Sequence, residues 1–472
     1  ILPDFGPARR NPAFRRLLAG GLLSALGSSM TSFAVVLQIW DLSRSSLDVG
    51  LLGLTFVPVL IVGLLGGSIA DAVDRRALAL VTTAGLMVVS AGFAVQAYAE
   101  FRQLWLLYAL AMVQATLQAT GAPARRTFVA RLVPSEQLTA AIALNTLTGR
   151  ITMLFGPALA GVITGAFGLR TCYAIDTISF VASLYATARL PVMRPQAKES
   201  RPPATESGPS AASPAPAISP ALVTPPAPAV GRLRALRSSL RATAEGLRFI
   251  RSRPLLVAAF LTDLDAMLLG LPVALFPALN AAHFGGSPQT LGLLNAAPGI
   301  GGLLSAILSG PAARVSHQGR GMIAGTMTWG AAIAGFGLTR NLPLALAMLA
   351  VAGAADTLTV MYRGSMVQTV TPDEFRGRVS SVEYIIGTGG GPLGNVESGT
   401  VATLTTPTIS AVSGGVGCFV VAALIAGTIP ALTRYRAGAA PDPVPPSAAP
   451  GLLAGATPDP SSSQAAATPD FD

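Results

Sequence analysis

Seven ionisable residues stand inside long apolar runs of this sequence: Arg150, Asp176, Asp263, Asp265, Asp356, Glu383 and Glu397. At mid-bilayer each charged side chain costs roughly 3 kcal/mol on insertion scales, so such groups usually face a cavity or one another. Asp176 and Glu397 fall near the ends of their runs, where a solvated boundary is the plain alternative to a site, whereas Arg150, Asp263, Asp265 and Asp356 lie deeper. Desolvation disfavours the charged form of a carboxylate, so an acid in a partly dry cavity can exchange protons. Asp263, Asp265, Asp356 and Glu383 are therefore the proton-coupling candidates, with Arg150 as a charge partner or an anion contact. Structural ion pairing is the competing role for the same residues.

Other chemistry finds little support. There is no G-x-x-x-x-G-K-[ST] loop to cradle a nucleotide phosphate, and the Gly389-Gly390-Gly391-Pro392 run reads as a flexible, close-packing region. His283 and His317 lie in opposite connections, and Cys172 and Cys418 have no metal-type companions, so neither a metal site, a cofactor nor a disulfide framework is expected. The chain is read as a non-enzyme.

The elements that hold these residues must cross a membrane. Hydrophobic types make up 51% of the 472 residues and charged types 11%, against about 25% charged in soluble domains; the mean hydropathy is +0.58. So few charges cannot cover a large wet surface, and most of the surface must face lipid. A net charge of +10 would point to nucleic acid in a soluble protein. Here the arginines sit in connections between apolar runs, so no nucleic-acid partner is expected.

Runs of about 20 residues, enough to cross hydrocarbon roughly 30 Å thick, fall near 17–40, 49–70, 78–97, 104–122, 139–164 and 171–190, then near 254–279, 289–310, 321–339, 342–362, 379–402 and 408–432. These twelve spans predict an all-α polytopic membrane protein. The first is too long for the apolar region of a cleavable signal, so none is expected. Placing both termini in the cytoplasm puts 26 basic residues inside, Arg125 and Arg363 among them, and leaves only Arg44, Arg102, Arg170 and Arg340 outside. That asymmetry is the positive-inside pattern of a multi-pass cytoplasmic-membrane protein.

The domain plan is two bundles, 1–190 and 254–436, joined by a cytoplasmic linker, 191–253, and followed by a tail, 437–472. The Pro, Ala and Ser of 201–230 and of the tail cannot bury enough surface to offset ordering entropy, so both read as disordered. Within 231–251, Leu233, Leu236, Leu240, Ala244 and Leu247 recur at helical spacing among arginines. That pattern fits either an amphipathic helix on the anionic leaflet or a positive flank running into the seventh span. Ala124–Leu144 and Tyr362–Val382 align without gaps at an offset of 238, pairing Arg125 with Arg363, Pro134 with Pro372 and Glu136 with Glu374. A six-span unit is duplicated, as in transporters that rock two halves about a midplane site. The same register pairs Gln118 with Asp356 and Asn145 with Glu383, so Gln118, Asn145 and Arg150 are candidates for the shared cavity.

Between the second and third spans lies Gly67-Ser-Ile-Ala-Asp71-Ala-Val-Asp74-Arg75-Arg76. It resembles the G-x-x-x-D-x-x-x-R-[RK] loop of the major facilitator superfamily. By that resemblance Gly67, Asp71, Arg75 and Arg76 form a latch between states, in which the arginines pair with acids or bind helix C-termini. Leu26 to Ala34, the Gly50 to Gly53 turn, Pro58 and the Asp74-Arg75-Arg76 ending are similar to the branch of that superfamily containing the enterobactin exporter. In the second half the corresponding loop, Gly310 to Arg320, has no aspartate, so a symmetrical second latch is not expected. Gly156-Pro157-Ala-Leu-Ala160-Gly161 in the fifth span is similar to the G-P-x-x-G-G element of exporters, with ordinary close packing as the alternative. The resemblance implies a monomeric secondary transporter that exports a small hydrophobic or siderophore-like molecule, or a drug, against protons. An importer on the same fold, a lipid flippase and a non-transporting membrane sensor are the other readings.

Overall fold

The computed structural model describes residues 5–62, 74–190, 241, 243–270, 273–310 and 315–436. Gly67 and Asp71 of the latch loop, most of the linker and the whole of the tail lie outside the described residues. The described residues are helical throughout, with no strand among them. In chain order the helices are α1 (Gly6–Arg10), α2 (Pro12–Ser43), α3 (Ser46–Leu51, continuing helically to Val62), α4 (Arg75–Tyr98), α5 (Leu104–Leu132), α6 (Leu138–Phe167), α7 (Leu169–Ala188), α8 (Pro254–Leu269), α9 (Phe276–His283), α10 (Pro288–Ile307), α11 (Gln318–Leu338), α12 (Leu342–Val370), α13 (Asp373–Leu404), α14 (Pro407–Thr428) and α15 (Pro430–Arg434).

Local chemistry sets where these helices begin. A capping side chain followed by proline opens three of the long ones: Asn11-Pro12, Ser287-Pro288 and Thr406-Pro407, each cap accepting from a backbone N–H of the first turn. The cap satisfies a donor that the helix leaves orphaned, and proline has no N–H to leave unpaired there. Asp74 opens α4 in the same way, its carboxylate accepting from the N–H groups of Arg76 and Ala77.

Eight stretches are long and apolar enough to cross a bilayer: Pro12–Ser43, Arg75–Tyr98, Ser135–Phe167, Pro254–His283, Pro288–Ile307, Gln318–Leu338, Leu342–Val370 and Pro407–Thr428. The other four expected spans fall on the shorter apolar helix Ser46–Val62 and on α5, α7 and α13, of 29, 20 and 32 residues. α5, α7 and α13 carry more polar positions, which suits helices with a face turned toward other helices or a cavity.

In the first half α7 packs on α2 and α4; in the second, α14 packs on α11 and α8. The halves meet where α6 crosses α10 and where α3 lies on α13. Those crossings depend on glycine. A Cβ on Gly161 would sit 2.6 Å from the Pro288 carbonyl oxygen and 3.0 Å from the Cα of Gly292. On α3, Gly50 abuts the carbonyl of Asn395 and Gly53 that of Pro392, while Gly399 of α13 abuts that of Ser46. All these contacts lie toward the end where α2 and α6 finish and α10 and α14 start, the end that the arginine pattern assigns to the outside. Toward the other end of α6, Asn145 and Arg150 are exposed, and a Cβ on Gly149 would meet nothing within 4 Å.

One expectation changes. Arg363 does not lie in a solvent-facing connection: α12 runs past the apolar run to Val370, and Arg363 is buried within it. The helical residues 243–251 turn Gly246, Phe249 and Ile250 inward, while Ala244 and Leu247 stay exposed. That segment docks on α13: the Phe249 and Phe375 rings stack at 4.4 Å, and Glu245 Oε2 lies 3.1 Å from Arg378 Nε. Protein covers the Phe249 and Ile250 side, while Ala244 and Leu247 of the expected apolar stripe are exposed and Leu233, Leu236 and Leu240 lie outside the described residues.

Candidate functional site

A cavity of about 200 Å³ opens between α6 of the first half and α10, α11 and α12 of the second. Its charged lining is Arg150 from α6 and Asp356 from α12; Met153, Phe276, Trp329 and Ile333 give it an apolar wall. Close helix approach builds it. Gly353 and Gly301 let α12 and α10 touch backbone to backbone, each against a carbonyl of the other helix, and Pro298 leaves its helix without one N–H. Trp329 is held by its indole N–H, which donates to the Gly270 carbonyl over 2.7 Å. One cation and one acid facing each other across apolar walls can orient a small molecule carrying a charged or polar end.

Arg150 and Asp356 both line this cavity. Gln118 and Asn145 are not among the cavity's lining residues; both are exposed, and the Gln118 carbonyl accepts from Arg125 Nη2 over 3.0 Å. Asp263 and Glu383 belong to a neighbouring ion cluster. Arg363 donates to Asp263 from one guanidinium nitrogen and lies 3.8 Å from Glu383 Oε1 through another. Arg363 and Asp263 are both buried. A guanidinium suits this arrangement because its fork addresses two carboxylates at once. Hydropathy alone missed Arg363, because it lies just past the apolar run; its repeat partner Arg125 was the signal that the position is structural.

Asp265 stands two residues from Asp263 yet faces away from the cluster. On a helix, positions i and i+2 point to different faces. Asp265 lies beside the Cys418 thiol of α14, a weak donor, and its two carboxylate oxygens are buried with no stronger hydrogen-bond donor among the described residues. Asp176 proves to be no boundary residue: it is fully buried and accepts from Thr31 Oγ1 at 2.7 Å, Ser90 Oγ at 2.8 Å and Ser28 Oγ at 3.4 Å.

Of the latch residues described, Arg76 donates to the Ala188 carbonyl over 2.6 Å at the C-terminal end of α7, where unpaired carbonyls and the helix dipole favour a cation. Arg75 opens α4 beside it. The fifth-span element makes tight contacts on both sides: Gly156 lies against Ser29 of α2, and the Pro157 carbonyl faces Gly292 of α10. Among the described residues no group of three or more His, Cys, Asp or Glu could hold a metal ion.

The chain is similar to proteins named enterobactin exporter EntS: 25% identical to that of Shigella flexneri over 91% of this chain and 94% of the relative, and 27% identical to that of Citrobacter koseri over 93% and 96%. In fold it is similar to the solved nucleoside transporter NupG, with a TM-score of 0.65 at 13% identity, covering 90% of this chain and 99% of that one. A bacterial homologue of the iron transporter ferroportin, solved in an inward-facing state, gives a TM-score of 0.60 at 15% identity over 88% and 98%. The Major Facilitator Superfamily model matches residues 17–394. This is a multi-pass membrane transport protein, and the chain belongs to the Major Facilitator Superfamily.

Proposed function

We propose that this transporter is a proton-coupled exporter of a small hydrophobic or siderophore-like molecule, working by alternating access about the Arg150–Asp356 cavity. The observation that carries the reading is the cavity itself: each half contributes one charged residue to an otherwise largely apolar pocket, and the halves lock by glycine contacts toward one end. The arginine asymmetry assigns the locked end to the outside and both termini to the cytoplasm. Cargo would then enter from the cytoplasm. The similarity to enterobactin exporters supports outward movement of a siderophore-like cargo, and the Arg150 guanidinium in the cavity would favour a cargo carrying an anionic group. One proton entering supplies about 2.3 kcal/mol per 100 mV, roughly 40-fold accumulation of a neutral cargo. Asp263, Asp356 and Glu383 around Arg363 form one group of acids through which that drive could act; Asp265 is the fourth candidate. The protein is read as a monomer.

The test uses everted membrane vesicles with an inside-acid gradient and two cargo probes, a tris-catecholate siderophore and a lipophilic dye. Accumulation that a protonophore abolishes is expected with at least one probe. Equal accumulation with and without the protein would remove the export reading; uptake only into right-side-out vesicles would make it an importer.

A further inference from the structure

Among the described residues, two acids buried in the helix bundles neither line the cavity nor meet a cation: Asp176 in the first half and Asp265 in the second. They occupy equivalent places. Asp176, on the sixth span, sits against the first and third, accepting from Ser28 and Thr31 of α2 and Ser90 of α4. Asp265, on the seventh span, faces Cys418 of the twelfth, whose thiol reaches toward the Thr326 carbonyl of the ninth at 3.9 Å. The first, third and sixth spans of one half correspond to the seventh, ninth and twelfth of the other. Each bundle therefore buries a single carboxyl at the same three-helix junction, supplied from opposite members of the trio.

The first junction is shaped around its acid. A Cβ on Gly27 would stand 2.6 Å from Asp176 Oδ1 and 2.5 Å from Ser179 Oγ, so a glycine is what admits the carboxyl between α2 and α7. The groups that face Asp176 are hydroxyls: Ser28, Thr31 and Ser90, with Thr177 behind Ser90. At Asp265 the facing side chain is the Cys418 thiol, a weak and neutral donor, and both oxygens are buried with no cation and no stronger donor on them among the described residues. The nearby guanidinium of Arg363 is engaged by Asp263 and Glu383 on another face of α8. An ionised carboxylate held in a low-dielectric interior without a counter-charge costs several kcal/mol, and neutral hydroxyl donors offset only part of that.

We infer that Asp176 and Asp265 are proton-binding sites, one in each half, separate from the cavity where cargo binds. The transport consequence rests on the proton-coupled reading: protons and cargo would then communicate through helix packing, because a charge appearing at Asp265 must open the contact between the seventh and twelfth spans to find water. Proton binding itself does not depend on that reading.

The test is infrared difference spectroscopy of the purified full chain in lipid nanodiscs, without cargo, following the C=O stretch of protonated carboxyls through an alkaline titration. Asp176→Asn and Asp265→Asn are each expected to lose one carboxyl's worth of that band. Should either substitution prevent folding, Asp176→Glu or Asp265→Glu is expected to move the band in frequency instead. A band unchanged in one of these variants overturns the assignment for that half. Loss of the Asp176 signal on adding sodium chloride at constant pH overturns it as well, since the hydroxyl ring would then be holding a metal cation. If both bands behave as expected while everted vesicles reveal no proton-driven movement, the sites stand and the coupled-export reading falls.

Discussion

The lock between the halves predicts the effect of one methyl group. In Gly161→Ala the new Cβ would stand 2.6 Å from the Pro288 carbonyl oxygen and 3.0 Å from Gly292 Cα. Both are backbone atoms of α10, so no side chain can swing aside and the two helices must separate. Overpacking of this kind costs about 1–3 kcal/mol. The penalty falls only on the state in which α6 and α10 touch. At about 2 kcal/mol, with tenfold for every 1.4 kcal/mol or so, that state loses roughly 30-fold in population against the state open at this end. Gly292→Ala, whose Cβ would meet the Pro157 carbonyl at 2.7 Å, should act alike. The double variant should cost less than the sum of the two, because helices already parted by one methyl have room for the second. The assay is electron-spin distance measurement in nanodiscs between labels at Phe101 and Arg340, one at the same end of each half and both exposed. A growing long-distance population is expected in each variant. An unchanged distance distribution in both would refute the claim that these glycines form the lock.

Arg363→Ala leaves Asp263 buried without its cation and should destabilise the purified protein by about 3–5 kcal/mol, whereas Arg363→Ala with Asp263→Asn together should cost clearly less; thermal unfolding in detergent checks both, and a single variant as stable as the parent would contradict the pairing. Arg150→Ala should weaken binding of an anionic cargo by about 1.5–3 kcal/mol, the range for hydrogen bonds to charged groups, and remove the salt dependence of that binding; calorimetric affinity unchanged at low and high salt would free Arg150 of the role. Phe249→Ala deletes the ring stacked on Phe375 and should speed proteolytic cleavage around residues 241–253 while leaving unfolding of the bundles unchanged. Cleavage at the parent's rate would mean that the stack does not hold this segment.

Much of the architecture was readable because lipid imposes a simple length rule. A helix needs about 20 apolar residues to cross; eight of the twelve runs fall on helices long and apolar enough to do so, and the other four lie on helices over their described residues. Arg150 and Asp356, which line the cavity, stand out in the sequence because an ion deep in an apolar run needs a reason to be there. What failed was anything that depended on which neighbour covers a given face. Asp176 was placed by its distance from a helix end, and that distance does not reveal the hydroxyls of two other helices closing over it. Repeat symmetry points to Gln118 and Asn145, which are exposed and outside the lining of a cavity built mostly from the second half. Arg363 was counted with the loop arginines because an apolar window ends before the helix does. Asp263 and Asp265 could have been told apart beforehand, since two positions on one helix separated by two residues cannot share a partner.

The most direct test of alternating access follows a single thiol in the cavity wall. With Cys172→Ala and Cys418→Ala removing the native thiols, Thr357→Cys would be exposed in turn to a membrane-impermeant maleimide on each side of oriented vesicles. Labelling from the cytoplasmic side at rest, shifting to the outer side when cargo and a proton gradient are applied, is the result expected. Labelling confined to one side under every condition would contradict a cavity that the two halves open alternately.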